Sequence, residues 1–202
     1  MSKVAIFGGA FNPITIGHQL VVDSVLANVP EVDQIWLMPC YGHLYGKQLE
    51  EASHRLAMCK CLSDKILNTR VFPFEINHKL SGSTWLAVNQ MLEEGVFDSF
   101  DDFYVIIGQD NANHMDGWLY GQELQAHLNW IVVRRAGSPV THNWYDIPNN
   151  RIVTPPGTKQ NASEVSSTKV RNLIAENKWN EAQNLVLPDV WDYIVEHKLY
   201  GI

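Results

Sequence analysis

Behind an apolar run, Val4-Ala5-Ile6-Phe7, stands the string Gly8-Gly9-Ala10-Phe11-Asn12-Pro13-Ile14-Thr15-Ile16-Gly17-His18, which holds the residue types of a phosphate site. Two glycines after a strand let backbone approach an anion. A helix starting behind them aims N–H groups and the positive end of its dipole at that anion. Apolar residues at helical spacing over 19–26 predict this helix. Thr15 and His18 are three apart, so both are expected to face one anion from the first turn. Thr15 offers a hydroxyl, and His18 offers an N–H in either protonation state. A dinucleotide-type Gly-x-Gly-x-x-Gly is absent, which argues against a nicotinamide-dependent dehydrogenase.

A second string, Val165-Ser166-Ser167-Thr168-Lys169-Val170-Arg171, has the same chemistry. Three hydroxyls at a helix start cap N–H groups and also suit phosphate oxygens. Arg171 lies one turn after Ser167, where its guanidinium fork fits a di- or triphosphate. A third point of interest is the strand end Ile107-Gly108-Gln109-Asp110. A fourth is the loop after Pro39, rich in Gly, Tyr and His, which carries His43 and Lys47. The remaining histidines show no metal-ligand spacing, and the pairs Glu50-Glu51 and Glu93-Glu94 read as solvated helix charge.

Short apolar strands at 4–7, 34–39, 69–76, 103–107, 130–133 and 151–153 must carry these residues. Helices are predicted between them over 50–66 and from Ser83 or Thr84 to about 92, and after them over 169–177, 179–187 and 189–196. In the helix over 50–66, Leu56, Cys59, Leu62 and Ile66 form the expected inner face. Strands alternating with helices indicate a parallel α/β sheet, whose ligands sit beyond the carboxyl ends of its strands. The turns after Phe7, after Ile107 and before Lys169 are therefore expected at one rim.

With 202 residues, 46% of them apolar, the chain fits a single domain over 1–202. Three cysteines without a Cys-x-x-Cys pair fit neither a disulfide framework nor a zinc site. With no signal-like or membrane-spanning run, the expectation is a soluble, cytoplasmic protein. A net charge of −7 argues against a nucleic-acid surface and leaves room for a small anionic ligand held by a few focused cations.

The first two strings together resemble the signature of the HxGH nucleotidyltransferases, with Thr15 in the place of the first histidine, a variant that superfamily also uses. More narrowly, the chain resembles the nicotinate/nicotinamide mononucleotide adenylyltransferases nearly end to end. The likeness continues through residues 107–110, Trp118, residues 131–137, residues 187–194 and Leu199-Tyr200. Where that family commonly carries Tyr-Thr-x-x-Thr, this chain reads Ser83-Thr84-Trp85-Leu86-Ala87.

The resemblance implies a Rossmann-like parallel sheet flanked by helices, with a small helical C-terminal part over about 163–202. It implies transfer of AMP from ATP to nicotinate or nicotinamide mononucleotide in NAD biosynthesis, with pyrophosphate leaving. By the same resemblance the catalytic set is His18 at the α-phosphate, Arg171 on the β- and γ-phosphates, and Lys47 at the incoming phosphate. ATP contacts would add Gly8, Gly9, Phe11, Asn12, Thr15, Gly108, Asp110, Ser166, Ser167 and Thr168. The pyridine substrate would meet Thr84, Trp85, Trp118 and Arg135, with Trp85 and Trp118 rivals for stacking on its ring. Mg2+ would ride mainly on the ATP phosphates, with no dedicated protein metal set. ATP and a pyridine mononucleotide are the expected partners, without nucleic acid or membrane; self-association stays open. Three alternatives also stay open: nicotinate against nicotinamide, a phosphopantetheine or other small-phosphate nucleotidyltransferase, and a non-catalytic adenine-nucleotide sensor.

Overall fold

A computed structural model describes residues 3–42, 46, 48–134, 139–155 and 165–202. His43, Lys47 and Arg135 lie outside these described residues. Among the described residues six strands form one sheet: Lys3–Gly9 (β1), Val32–Pro39 (β2), Thr69–Val71 (β3), Phe103–Gly108 (β4), Trp130–Val133 (β5) and Arg151–Val153 (β6). Their order is β3-β2-β1-β4-β5-β6, and every neighbouring pair is parallel. This is the strand order of a doubly wound Rossmann-like sheet, whose direction of winding reverses between β1 and β4.

The helices are Ile16–Asn28 (α1), Ala52–Ser63 (α2), Phe74–Asn77 (α3), Thr84–Glu93 (α4), Gln109–Ala112 (α5), Gly121–His127 (α6), Ser167–Ala175 (α7), Trp179–Gln183 (α8) and Pro188–Glu196 (α9). A strand buried on both faces must alternate its apolar side chains between two cores, because its side-chain period is 2. β1 does so: Ala5 and Phe7 join one core while Ile6 joins the other. β2 repeats the pattern, with Ile35 and Leu37 on the first side and Trp36 and Met38 on the second. The first core is closed by α1, α2 and the C-terminal helices, through Val25, Met58, Val170 and Ile194. The second is closed by α4 and α6, through Val88, Met91 and Leu124.

Several elements differ from their sequence patterns. β3 stops at Val71 instead of running to residue 76. Phe72 N–H still reaches the Leu37 carbonyl at 2.7 Å, but Pro73 has no N–H to continue the ladder, and α3 begins one residue later. α2 is shorter than 50–66, and its buried face carries Arg55, Met58, Cys59 and Leu62, while Leu56 is only partly buried. The short helices α3, α5 and α6 give too few turns for a periodic signal. No helix among the described residues is long and apolar enough to cross a membrane.

Candidate active site

Gly8 and Gly9 pair with Met38 and Pro39 of β2, so they are the last extended residues of β1 and not the turn itself. The turn comes after them, with Phe11 at φ 45° and a cis Asn12–Pro13 peptide. Phe11 holds this left-handed backbone with its ring buried edge-on against Phe7 at 5.4 Å and His18 at 5.1 Å.

Thr15 and His18 do not point side by side at an anion; they bind each other. The Thr15 backbone N–H donates to His18 Nδ1 at 2.9 Å, and Thr15 Oγ1 lies 2.8 Å from the same nitrogen. A backbone donor makes Nδ1 the acceptor, which assigns the ring proton to Nε2. Burial lowers the imidazole pKa from 6.5 to about 4. At neutral pH His18 is therefore an uncharged ring with an oriented Nε2–H donor. The Ile16 N–H is taken by the Leu185 carbonyl at 3.1 Å, so the α1 start offers fewer N–H groups than its sequence suggests.

α7 arrives across the sheet to complete this corner. Arg171 Nη1 donates to the Asn12 carbonyl at 2.6 Å, and Nη2 donates to Thr168 Oγ1 at 3.3 Å. Ser167 Oγ donates to the Pro13 carbonyl at 2.7 Å, while Ser166 Oγ accepts the Lys169 N–H at 3.1 Å and caps its own helix. Ser167 and Arg171 thus fasten α7 to the β1 turn. Asn12 is the hub of that turn: its Oδ1 accepts from Tyr200 Oη at 3.0 Å and from the Glu50 N–H at 3.2 Å.

These groups open on one cavity of about 1030 Å³ beyond the carboxyl ends of β1, β2 and β4. Gly8, Gly9, His18, Ser166, Thr168 and Arg171 are among its lining residues; Cys40 and Gly42 line it beyond β2, Ser83 and Thr84 at the start of α4, and Trp118 in the segment after β4. Its size is at the upper end for small-molecule sites and leaves space for more than one substrate. At the β4 end, a Cβ on Gly108 would stand 2.8 Å from Asp110 Oδ1, so only glycine lets that carboxylate fold back there.

A family model described as cytidylyltransferase-like matches residues 6–173. A probable nicotinate-nucleotide adenylyltransferase of Myxococcus xanthus is 32% identical to the chain, over 99% of the chain and 95% of the relative. A second, of Bacteroides thetaiotaomicron, is 30% identical over 96% and 92%. The chain belongs to this adenylyltransferase family. In fold, the family likeness extends to Plasmodium falciparum nicotinic acid mononucleotide adenylyltransferase complexed with NaAD. The TM-score is 0.85, with 23% identity and coverage of 99% of this chain and 98% of that one.

Against the family's motifs, the structure gathers Gly8, Gly9, Phe11, Asn12, Thr15, His18, Gly108, Asp110, Thr84, Trp118 and residues 166–168 and 171 around one cavity. Trp85 is not on its wall. One position along α4 from Thr84, it turns away and stacks on Phe100 at 5.8 Å, beside His127 at 5.7 Å. Arg134 lines the cavity; its neighbour Arg135 and the loop residue Lys47 are outside the described residues.

Two charged residues have no motif to announce them: Glu75, on the cavity wall, and Arg55, bonded to the backbone behind it. Arg55 is 1% exposed and Glu75 is 4% exposed. Burial raises the Glu75 pKa to about 7, opposed by the Tyr41 backbone N–H and by the charge of Arg55. Burial, helped by the Glu75 charge, also lifts the Cys40 thiol to about 11, so Cys40 is no thiolate at neutral pH.

Proposed function

We propose that the chain transfers the adenylyl group of ATP to nicotinate mononucleotide, giving the dinucleotide and pyrophosphate. The observation that carries this reading is the pair at one corner of the cavity: a neutral His18 with its donor set on Nε2, and an Arg171 anchored on the Asn12 carbonyl. The names of the Myxococcus and Bacteroides relatives support the pyridine substrate and, within it, nicotinate. The N-terminus of α4 supports nicotinate as well. Its N-cap Ser83 makes no side-chain cap, Ser83 and Thr84 line the cavity, and the positive dipole end favours a carboxylate.

The nucleophile is the mononucleotide phosphate, whose second pKa is roughly 6, so it is largely ionised at neutral pH and needs no general base. Two anions must then be brought in line and their charge cancelled. His18 Nε2–H donates to the α-phosphate oxygen on which charge grows, and an uncharged ring keeps its proton while doing so. Arg171 and Thr168 receive the β- and γ-phosphates that leave together. Gly8 and Gly9, extended and without side chains, let the phosphates pass close to backbone. Trp118 offers its ring to the pyridine, and Thr84 a hydroxyl from the start of α4. ATP would enter as its Mg2+ complex, the ion supplying charge neutralisation at the phosphates, and Asp110 would be a cavity-wall carboxylate to help hold it.

The test is pyrophosphate release by the purified protein with MgATP and, separately, nicotinate mononucleotide, nicotinamide mononucleotide or phosphopantetheine. Turnover should be fastest with nicotinate mononucleotide, and His18→Ala should lower kcat on the order of 10²–10³-fold with ATP affinity kept. Turnover confined to phosphopantetheine would replace the substrate. ATP binding with no turnover on any of the three would make the chain a nucleotide sensor.

A further inference from the structure

Arg55 lies on the inner face of α2, where a charged side chain must be fully bonded to be tolerated. Its guanidinium donates to four backbone carbonyls: Cys40 at 2.7 Å, Glu50 at 2.9 Å, Ala10 at 3.0 Å and Tyr41 at 3.4 Å. Ala10 belongs to the turn after β1, and Cys40 and Tyr41 to the turn after β2. Glu50 lies two residues before α2 begins. Glu75 on α3 works from the other side. The Tyr41 N–H donates to its carboxylate, and its charge faces that of Arg55 with the Cys40 thiol beside both. No short ion pair joins Arg55 and Glu75 among the described residues; what they share is the backbone of the β2 turn. Ala10, Cys40 and Glu75 all line the cavity.

We propose that Arg55 is a positioning residue for adenylyl transfer, fixing the turns after β1 and β2 at one spacing across the cavity, with Glu75 as its counterweight on Tyr41. This rests on the proposed adenylyl transfer, in which the β1 turn serves ATP and the β2 side serves the mononucleotide. A planar fork with five donors can hold several carbonyls in a fixed pattern, whereas a lysine is a single point charge. The consequence is specific. Loosening the clamp removes no direct partner of His18 or Arg171 and reaches Asn12 only through Glu50, but misplaces the two phosphates relative to each other. A misplacement of about 1 Å costs in-line reactions about 10²-fold.

The experiment compares wild type, Arg55→Lys and Glu75→Gln, each first checked for a cooperative thermal transition well above the assay temperature. ATP affinity is measured alone by calorimetry, and kcat and both KM values by pyrophosphate release with nicotinate mononucleotide between pH 6 and 8. For Arg55→Lys the expectation is ATP affinity within about threefold of wild type, KM for the mononucleotide raised about tenfold, and kcat lowered about 10–10²-fold. Glu75→Gln keeps Arg55 and an amide oxygen for Tyr41. It should leave kcat within about threefold and flatten that part of the KM profile near pH 7 that the substrate phosphate does not explain. A wild-type profile that superimposes on that of Glu75→Gln, or an Arg55→Lys enzyme that is less stable yet within twofold in kcat and KM, would overturn the positioning role. If Arg55→Lys does not fold, Arg55→Gln, whose planar amide keeps two N–H donors, is measured in its place against the same thresholds. Wild type that releases no pyrophosphate with any pyridine mononucleotide would instead overturn the adenylyl-transfer reading beneath it.

Discussion

His18 and Glu75 pull the stability of the molecule in opposite directions with pH. The unfolded chain protonates its histidine near 6.5, while folded His18 resists down to about 4; stability from this group therefore rises with pH across that window. Folded Glu75 keeps its proton up to about 7, against 4.5 when unfolded, so its contribution falls as pH rises from 4.5 to 7. Each slope is at most about 1.4 kcal/mol per pH unit, and between pH 4.5 and 6.5 they oppose. Glu75→Gln should therefore gain stability as pH rises from 5 to 6.5, and His18→Ala should lose it, in urea titrations at fixed temperature. Slopes in both variants parallel to wild type would remove this account. The same two residues show what a sequence can tell. His18 was legible because Thr-x-Gly-His behind two glycines is a rare string with one chemical use. Glu75 and Arg55 were not, since a charge inside a predicted strand or helix reads as solvent-facing until the groups around it are seen.

For the elements, what was legible followed from continuous burial. β5 has the bounds its apolar run predicts, because every one of its residues is buried; β6 keeps its predicted bounds too, with only Val153 buried. Elements set by one backbone contact were not legible. α6 begins at Gly121, reached through Tyr120 at φ 61°, and a Cβ at position 121 would overlap the Met115 carbonyl. That packing fixes the segment carrying Trp118, whose N–H donates to the same Met115 carbonyl at 2.9 Å. Gly121→Ala should accordingly cost about 1–3 kcal/mol in urea unfolding, and should raise KM for the mononucleotide more than KM for ATP. Equal changes in the two KM values would detach Trp118 from the pyridine site. Trp85 shows the limit of reading a motif letter by letter: next to Thr84 in sequence, it faces another direction because helix neighbours are about 100° apart.

Across the whole molecule, two cores on one sheet explain why alternating faces, and not total hydrophobicity, decide where substitutions hurt. Leu37→Ala empties space in the first core and should cost about 2–5 kcal/mol in chemical denaturation, with the KM values of the residual folded enzyme unchanged. A KM shift would mean that the cores and the cavity are mechanically joined. The parallel architecture and the single rim for three turns were readable from strand–helix alternation. Contact between the end of the chain and the β1 turn was not, since residues 12 and 200 share nothing in sequence. That contact has a practical side. β1 opens at Lys3, at the far end of the strand from its glycines and roughly 17–20 Å away, whereas Tyr200 already touches Asn12. An affinity tag or reporter fused after Ile202 would pull within two residues of the hydroxyl that steadies the Arg171 anchor. The same fusion ahead of Lys3 would leave the reacting end of the sheet undisturbed.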